Sequence, residues 1–387
     1  VPHTHDQQHK DIIMSRKIRV GVVGFAHMHV NNVLALFAKH PRVELAAGAD
    51  TAPARPELRD GVYTRGWNLR HALAKLGLPR AYDDYREMLR QEGLDLAIVT
   101  SENARHAEAV EACAAAGADV CVEKPMAATF ADALRMVRAA RAAGTRLIVN
   151  WPMTWNPAAR KAKDLADAGA VGRVLQVRVR LGHTGPLGPG ARHEGVVEEA
   201  TPLSAEELGA VWWHSRAAGG GALIDYCCYG AMMARWIIGE PAVAAVGMRA
   251  NLASPFGDAD DNGAMIVRFA RAMGLFEASW TTADHGTGGG PVIHGTGGTL
   301  VMEGDGGRPQ VREIRSGGRV RVHRPRLPKG RHDIAHEYVH HVDTGEPLHP
   351  TLDAPVNLDA MAILDAGARS ADSGRLELVA GEAWPTA

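Results

Sequence analysis

Two short segments hold the residues best suited to chemistry. The first is Glu123-Lys124-Pro125, at the end of the apolar run Val120–Glu123. A lysine at the end of a buried strand is costly unless it is paired or functional. Pro125 lacks a ladder donor and ends the strand there. Snorkelling to the surface is the ordinary alternative for a lysine, and the flanking Glu123 and Pro125 weigh against it. The second segment is Gly219-Gly220-Gly221-Ala-Leu-Ile-Asp225-Tyr-Cys-Cys-Tyr229. Three glycines let backbone approach a flat ligand ring. Asp225 and Tyr229 stand at i and i+4 on the helix that follows, one turn apart on one face. An acid favoured by a helix N-terminus and a core tyrosine are the competing structural readings. Their pairing after a triple glycine favours a functional one, in which a cation, a carboxylate and a phenol are set to move a proton.

A third cluster lies where the run Ile18–Val23 ends in Gly24-Phe25-Ala26-His27-Met28-His29. A dinucleotide fingerprint places glycine at positions 24, 26 and 29. Gly24 fits, and Ala26 is small enough to let backbone approach a pyrophosphate. His29 departs from the pattern and predicts looser helix–strand packing. The next run, Val43–Ala49, ends at Asp50, whose carboxylate can accept both adenosine ribose hydroxyls and repel a 2′-phosphate. This favours NAD over NADP, with Arg55 nearby to soften the preference. A cap or turn role for Asp50 is an equal alternative.

These clusters need elements to hold them. Ile18–Val23, Val43–Ala49, Asp95–Thr100, Val120–Glu123 and Arg146–Val149 are short, almost continuous apolar runs, as strands buried on both faces should be. Helical patterns His29–Lys39, Asp84–Glu92, Ala104–Ala116 and Phe130–Ala143 alternate with them. Gly117 and Gly144 fall just past two of these helices, where a C-terminal glycine is expected. Such alternation predicts a doubly wound parallel sheet. Ligands in such sheets sit outside the carboxyl ends of the strands. Thr100, Ser101, Glu102, Asn103 and His106 gather there, with Glu123, Lys124, Asn150 and Trp151. The stretch Ala52–Leu78 is longer than a crossover needs and predicts an insertion near the adenosine end.

Beyond about residue 150 the pattern changes. Val174–Leu181 alternates in hydrophobicity, as an antiparallel strand with one wet face does. Similar runs follow at Val243–Asn251, Gly263–Phe269 and Leu275–Thr281, with shorter ones at Thr299–Glu303 and Val311–Ile314. The helices Ala222–Ile238 and Ala354–Ala371 complete an α+β unit on an open, mostly antiparallel sheet. The predicted division is residues 1–16 as a tag, leader or disordered arm, 17–150 as the dinucleotide-binding domain, and 151–387 as the substrate-binding domain. Val1–Ile13 carries His3, His5 and His9 but no apolar core of a signal peptide.

Composition narrows the function classes. Lys and Arg number 43 and Asp and Glu 44 in 387 residues, which gives no basic footprint for nucleic acid. No apolar run of about 18 residues predicts a membrane span. Cys113, Cys121, Cys227 and Cys228 form no C-x-x-C pair and suit buried thiols in a cytoplasmic protein. No metal site is expected: there is no H-E-x-x-H helix, and His336, His340 and His341 lack a matching carboxylate trio.

The combination Thr100-x-x-Asn103-x-x-His106, Ala116-Gly117-x-x-Val120-x-x-Glu123-Lys124-Pro125, Gly219-Gly220-Gly221-x-x-x-Asp225-x-x-x-Tyr229 and Pro347-x-x-Pro350-Thr351 resembles the Gfo/Idh/MocA family of nicotinamide-dependent oxidoreductases. The resemblance covers nearly all of residues 17–380. It implies a Rossmann domain followed by an open-faced α/β domain, and an active site containing Lys124 and Asp225. Many relatives carry histidine where this chain has Tyr229. Glucose–fructose oxidoreductase and the aldose and dihydrodiol dehydrogenases are similar in having tyrosine there. The resemblance also implies a homodimer or homotetramer.

The mechanism expected from these residues moves a hydride between NAD and a secondary alcohol or ketone of a sugar or polyol. Tyr229 is the base, its pKa of about 10 lowered by about 1–3 by a neighbouring cation. Lys124 is that cation and polarises the substrate oxygen. Asp225 orients Lys124 and accepts a second substrate hydroxyl. His183 and His214 are substitutes for the base and, with Trp151, candidates for the substrate pocket. Trp212 and Trp213 are candidate platforms for a sugar ring. The expected cofactor contacts are Gly24, Phe25, Ala26, His27, Asp50, Thr100, Ser101, Asn103, His106, Glu123, Lys124 and Asn150. Two other readings stand beside this one: an NAD-dependent redox glycosidase, and a nucleotide- and sugar-sensing regulator.

Overall fold

The computed structural model describes residues 16–379, apart from 54, 189–190, 192, 194, 283–289 and 306. The expected arm Val1–Ile13 lies outside these residues, as do parts of the glycine-rich stretches Gly182–Gly190 and Gly286–Gly298. Strand β1 (Ile18–Val23) leads through the Gly24–His29 loop into α1 (Val30–Lys39) and β2 (Val43–Ala49). The long connection that follows is not a bare insertion. It contains α2 (Arg65–Lys75) and reaches the two-residue strand β3 (Ala81–Tyr82), both missed because α2 carries a weak apolar stripe. Next come α3 (Tyr85–Glu92), β4 (Leu96–Val99), α4 (His106–Ala115), β5 (Asp119–Glu123), α5 (Phe130–Ala143) and β6 (Leu147–Asn150).

All six strands run parallel in the order β3-β2-β1-β4-β5-β6. The order reverses between β1 and β4, so the crevice at their carboxyl ends is the switch point where ligands bind such sheets. Helices cover both faces, which is why all residues of β4, β5 and β6 are buried. Gly117 and Gly144 adopt positive φ of 82° and 70° just past α4 and α5, as expected.

The second half contains α6 (Pro157–Asp167), β7 (Val174–Gly182), α7 (Ala205–Ala210), α8 (Ala222–Ile238), β8 (Ala242–Ala250), β9 (Asn262–Phe269) and β10 (Met273–Ser279). Then follow β11 (Val292–Gly295), β12 (Gly298–Asp305), β13 (Arg308–Arg315), β14 (Val320–His323), α9 (Ile334–Thr344), α10 (Ala354–Ser373) and β15 (Glu377–Leu378). The nine strands form one sheet, β14-β13-β12-β11-β7-β10-β9-β8-β15. Strand β7 departs from the expected antiparallel pairing on one side: it is antiparallel to β11 but parallel to β10. The chain between β7 and β10 crosses over through α8 instead of turning back in a hairpin, and a crossover yields parallel neighbours.

Helix α8 is buried along almost its whole length and packs on β7 and β10. The opposite sheet face is open, with Arg178, Arg180, Val246, Met248 and Ile266 exposed. Helix α9 returns to the first sheet. Its Ile334, Tyr338 and Val339 join the core beneath α1, and the Tyr338 hydroxyl donates to Asp119 Oδ2 at 3.0 Å. No helix among the described residues is long and apolar enough to cross a membrane.

Candidate active site

Lys124 leaves the carboxyl end of β5, and Asp225 sits in the first turn of α8. Lys124 Nζ lies 2.5 Å from Asp225 Oδ1, with both side chains buried. The other carboxylate oxygen, Oδ2, accepts from Trp280 Nε1 at 3.1 Å. Asp225 thus lies where it can orient Lys124, and each of its oxygens, with one protein donor, keeps a lone pair for a further donor. Burial opposes the charge on Lys124, yet Asp225 and Tyr229 hold its pKa well above the usual lysine value. Burial likewise opposes ionisation of Asp225, and Lys124 brings its pKa below the ordinary carboxylate value.

Tyr229 departs from expectation. Lys124 Nζ stands over its ring, 5.0 Å from the centroid, and the edge of Trp151 packs on the same ring at 5.3 Å. Burial raises the Tyr229 pKa and outweighs the lowering by Lys124. Burial of the phenol thus works against the lowering by Lys124 on which a base role for Tyr229 depends. Trp151 is fixed in turn by donating Nε1–H to Asn357 on α10.

The three glycines do not border open space for a ligand. A Cβ on Gly219 would sit 2.7 Å from Asn103 Cβ, one on Gly220 2.1 Å from Trp213 O, and one on Gly221 2.7 Å from Asp260 Oδ1. They let the start of α8 press against the crevice of the first sheet, where Asn103 Nδ2 donates to Gly219 O at 2.8 Å. His106 is fully buried, with its ring nitrogens 3.1 Å from Met126 O and 3.2 Å from Ser101 O. It props the loop from behind.

The nucleotide loop is tied down from several sides. Gly24 adopts φ 86°, and a Cβ there would lie 2.6 Å from Ser101 N. Phe25 N donates to Asp50 Oδ1 at 2.9 Å, His27 N to Thr100 O at 2.9 Å, and Thr100 Oγ1 to Gly24 O at 2.5 Å. Trp212 Nε1 donates to Ala26 O at 3.0 Å. Trp212 and Trp213 stack on each other at 3.9 Å, and Trp213 packs against His27 at 4.7 Å. Both tryptophans are buried, so they grip the loop instead of offering a sugar platform.

His29 Nδ1 lies 3.1 Å from Glu123 Oε2, and Asn150 Nδ2 donates to Glu123 Oε1 at 2.5 Å. Burial opposes the Glu123 charge, but His29 and the bonds from His29 and Asn150 keep its pKa below the ordinary value. His27, His29 and Glu123 bring potential ligand atoms within 4.8 Å of one another, a grouping not anticipated from the sequence.

Asp50 has a cation at hand, but it is Arg65, not Arg55. Arg65 Nη1 lies 2.5 Å from Asp50 Oδ1, and its Nη2 pairs with Glu102. Burial opposes the Arg65 charge, and the two carboxylates more than restore it. With one cation against two carboxylates, this end stays net negative, which repels a 2′-phosphate.

His183 lies close enough to Asp225 to favour its ionised form, and its Nδ1 accepts from Gly185 N at 2.8 Å. His214 is not a surface histidine: it is buried between Phe256 at 4.6 Å and Trp280 at 5.5 Å, and burial lowers its pKa to about 4. Trp280 and Arg65 are the functional side chains that the sequence reading missed. A tryptophan directly after an alternating strand was the available signal for the first. A cavity of about 550 Å³ opens beside these groups, lined by His29, Asn32, Asn150, Trp155, His193 and Asp333 among others.

A parallel sheet with its switch point at a glycine-led loop, joined to a buried Lys–Asp pair from a second sheet, defines a dinucleotide-binding oxidoreductase architecture. The chain belongs to the Gfo/Idh/MocA oxidoreductase family: residues 18–151 match its NAD-binding Rossmann fold and residues 159–301 its C-terminal domain. The cofactor that this fold binds is NAD. A 1-carboxy-3-chloro-3,4-dihydroxycyclohexa-1,5-diene dehydrogenase of Comamonas testosteroni is 31% identical over 157 residues, 41% of this chain and 36% of that protein. A myo-inositol 2-dehydrogenase of Thermotoga maritima is 31% identical over 111 residues, 29% of this chain and 33% of that protein. The matches thus span only about a third of these relatives' lengths. The WlbA dehydrogenase from Bordetella pertussis, solved with NADH and UDP-GlcNAcA, is 25% identical with a TM-score of 0.72, covering 95% of this chain and 99% of that one.

Proposed function

We propose that the protein transfers a hydride between NAD(H) and a secondary alcohol or ketone of a sugar, polyol or related cyclic carbohydrate. The observation that carries this is the buried Lys124–Asp225 pair, fixed by Trp280 and set against Tyr229 at the crevice end of the sheet. Two buried polar atoms beside the nucleotide loop, His27 Nε2 and Asn103 Oδ1, have no protein partner, which suits a polar ligand lying there. Asp50 with Glu102 would hold the adenosine ribose. Gly24 to His27 would lie under the pyrophosphate. Glu123 and Asn150 would border the nicotinamide, whose C4 carries the hydride when the cofactor is bound.

Lys124, held charged, polarises the substrate oxygen. Tyr229, held neutral, donates a proton to that oxygen. Both groups are donors near neutral pH, so the site is set for ketone reduction, and alcohol oxidation is favoured only at higher pH. Domain roles follow the two sheets: residues 17–150 for the dinucleotide and 151–387 for the substrate. His183, at the rim near Asp225, and Trp151 border the substrate. The names of the relatives, an inositol dehydrogenase and a dihydroxycyclohexadiene dehydrogenase, support a cyclic polyol as substrate. The protein acts in the cytoplasm as a homodimer or homotetramer joined through its open sheet face.

Absorbance at 340 nm with a panel of cyclic polyols and their ketones tests the reading. Lys124→Ala should abolish turnover in both directions while NADH fluorescence still reports binding. Wild-type turnover in that variant would overturn it.

A redox glycosidase that keeps its NAD through the cycle is the second reading, favoured by one feature. The Tyr63 hydroxyl donates to Glu198 O at 2.8 Å and Val62 N donates to Thr201 Oγ1 at 2.9 Å. This clasp joins the connection before α2 to the loop that crosses α1 at Gly195. It would slow dinucleotide exchange. Glycoside cleavage without net NADH formation separates this reading from the first.

A further inference from the structure

A dense grouping of imidazoles outside the site described above lies where the end of α1 meets the start of α9. Asp333 caps α9, its Oδ1 accepting from His336 N at 2.9 Å. Its Oδ2 is approached from two sides, by His336 Nδ1 at 2.8 Å and by His332 Nε2 at 3.4 Å. The rings of His332 and His336 are 4.2 Å apart, and His40, just past α1, lies 4.8 Å from His336.

These lengths suit a shared ion. Ligand atoms about 2.0–2.1 Å from one ion, at angles of about 90–110°, stand about 2.9–3.4 Å from each other. The two measured edges of the His332–Asp333–His336 triangle are close to that span, and all three ligand atoms lie within 4.8 Å. The placement is also favourable, because His336 lies in the first turn of α9, His332 just precedes its cap, and Asp333 is held between them by its role as that cap. The histidines one turn further on, at the i, i+4 spacing weighed in the sequence, do not join this cluster. His340 instead faces Glu346, 2.9 Å from its Oε2. Asp343 lies across from this cluster and acts on His40.

We propose that His332, Asp333 and His336 bind a divalent transition ion of the zinc class, for which imidazole and carboxylate are fitting ligands. Three protein ligands leave a fourth position for water or for an oxygen of a bound anion. His332 and Asp333 also line the 550 Å³ cavity that reaches His29 and Asn150, so the ion would stand on the rim of that cavity. It would tie the segment before α9 to the first turn of that helix.

The test is calorimetric titration of Zn²⁺ into the chelator-treated full chain and into its His332→Gln and His332→Gln/His336→Gln variants. His332 precedes the helix, so its replacement leaves the Asp333 cap in place, and circular dichroism checks the fold. The wild type should take up one equivalent more than either variant, and Zn²⁺ should raise its melting temperature more than theirs. Co²⁺ should give a visible absorption band that both variants lose. Histidines in the first nine residues contribute equally to all three proteins and cancel in the comparison. Equal stoichiometry in the three proteins, or no Zn²⁺ uptake by the wild type, would overturn the proposal.

Discussion

Asp225→Asn keeps the shape of the side chain and removes its charge. In the native site Lys124 Nζ is 2.5 Å from Oδ1, and both groups are buried. At an effective dielectric of about 20, that attraction is on the order of 6–7 kcal/mol. Desolvation of the two ions offsets most of it, so the pair adds little net stability. Removing one partner leaves the desolvation of the other uncompensated, which costs about 3–5 kcal/mol and about 4–6 °C in melting temperature.

The same substitution changes the pH dependence. Asp225 raises the Lys124 pKa against burial. Without it, burial pulls the pKa below the ordinary value of about 10.4. In the wild type the stabilisation from Lys124 is lost only as pH rises through its raised pKa. That from Asp225 is lost only as pH falls through its depressed pKa. The pair therefore holds from about pH 4 to beyond about pH 10. In the variant Lys124 begins to lose its charge, and with it its polarising action, at a lower pH than in the wild type as pH rises. Loss of such a donor lowers kcat by about 10²–10³. Steady-state ketone reduction, followed by NADH absorbance from pH 6 to 9, should show a level wild-type profile and a variant that is weaker throughout and falls further as pH rises. A variant with wild-type kcat/KM and a level profile would refute the coupling of charge, burial and polarisation used here.

Two more outcomes follow from named contacts. Trp280→Phe keeps a ring beside His214 but removes the donor to Asp225 Oδ2, a bond to a charged group whose loss costs about 1.5–3 kcal/mol; kcat/KM should fall about ten- to a hundredfold with NAD binding intact, and an unchanged kcat/KM would deny Trp280 a positioning role. Asp50→Ala leaves Arg65 with Glu102 alone, so the ratio of NAD to NADP kcat/KM should fall at least about tenfold, both because a ribose partner is lost and because less negative charge meets the 2′-phosphate; an unchanged ratio would place the discrimination elsewhere.

The parallel sheet was legible because strands buried on both faces are written as continuous apolar runs, and their ends located Lys124, Asn150 and Asp50 at the crevice. The helix start at Gly219–Asp225 was legible because glycine is so restricted a choice for close backbone approach. Residues acting across long sequence distances were not. Trp280 reaches Asp225 only because β10 lies parallel to β7 beneath α8, a pairing that no local pattern states. Arg65 reaches Asp50 and Glu102 from α2, whose weak amphipathic stripe gave no helical period to read. The burial that raises the Tyr229 pKa could not be read at all, since a tyrosine code carries no measure of burial.

The position of the reacting groups depends on how the two halves of the chain meet. Lys124 belongs to one sheet and Asp225 to a helix resting on the other, so the 2.5 Å contact between them is a domain contact. What sets that distance is the approach of Gly219 to Asn103 and of Gly220 to the Trp213 backbone, together with the Trp212 donor on Ala26. A side chain at any of the three glycines would meet atoms within 2.1–2.7 Å, and the start of α8 would have to move outward. The lysine would then lose its counter-ion without either charged residue being altered. The triple glycine thus works through spacing: it lets the start of α8 lie close enough for the two buried charges to meet.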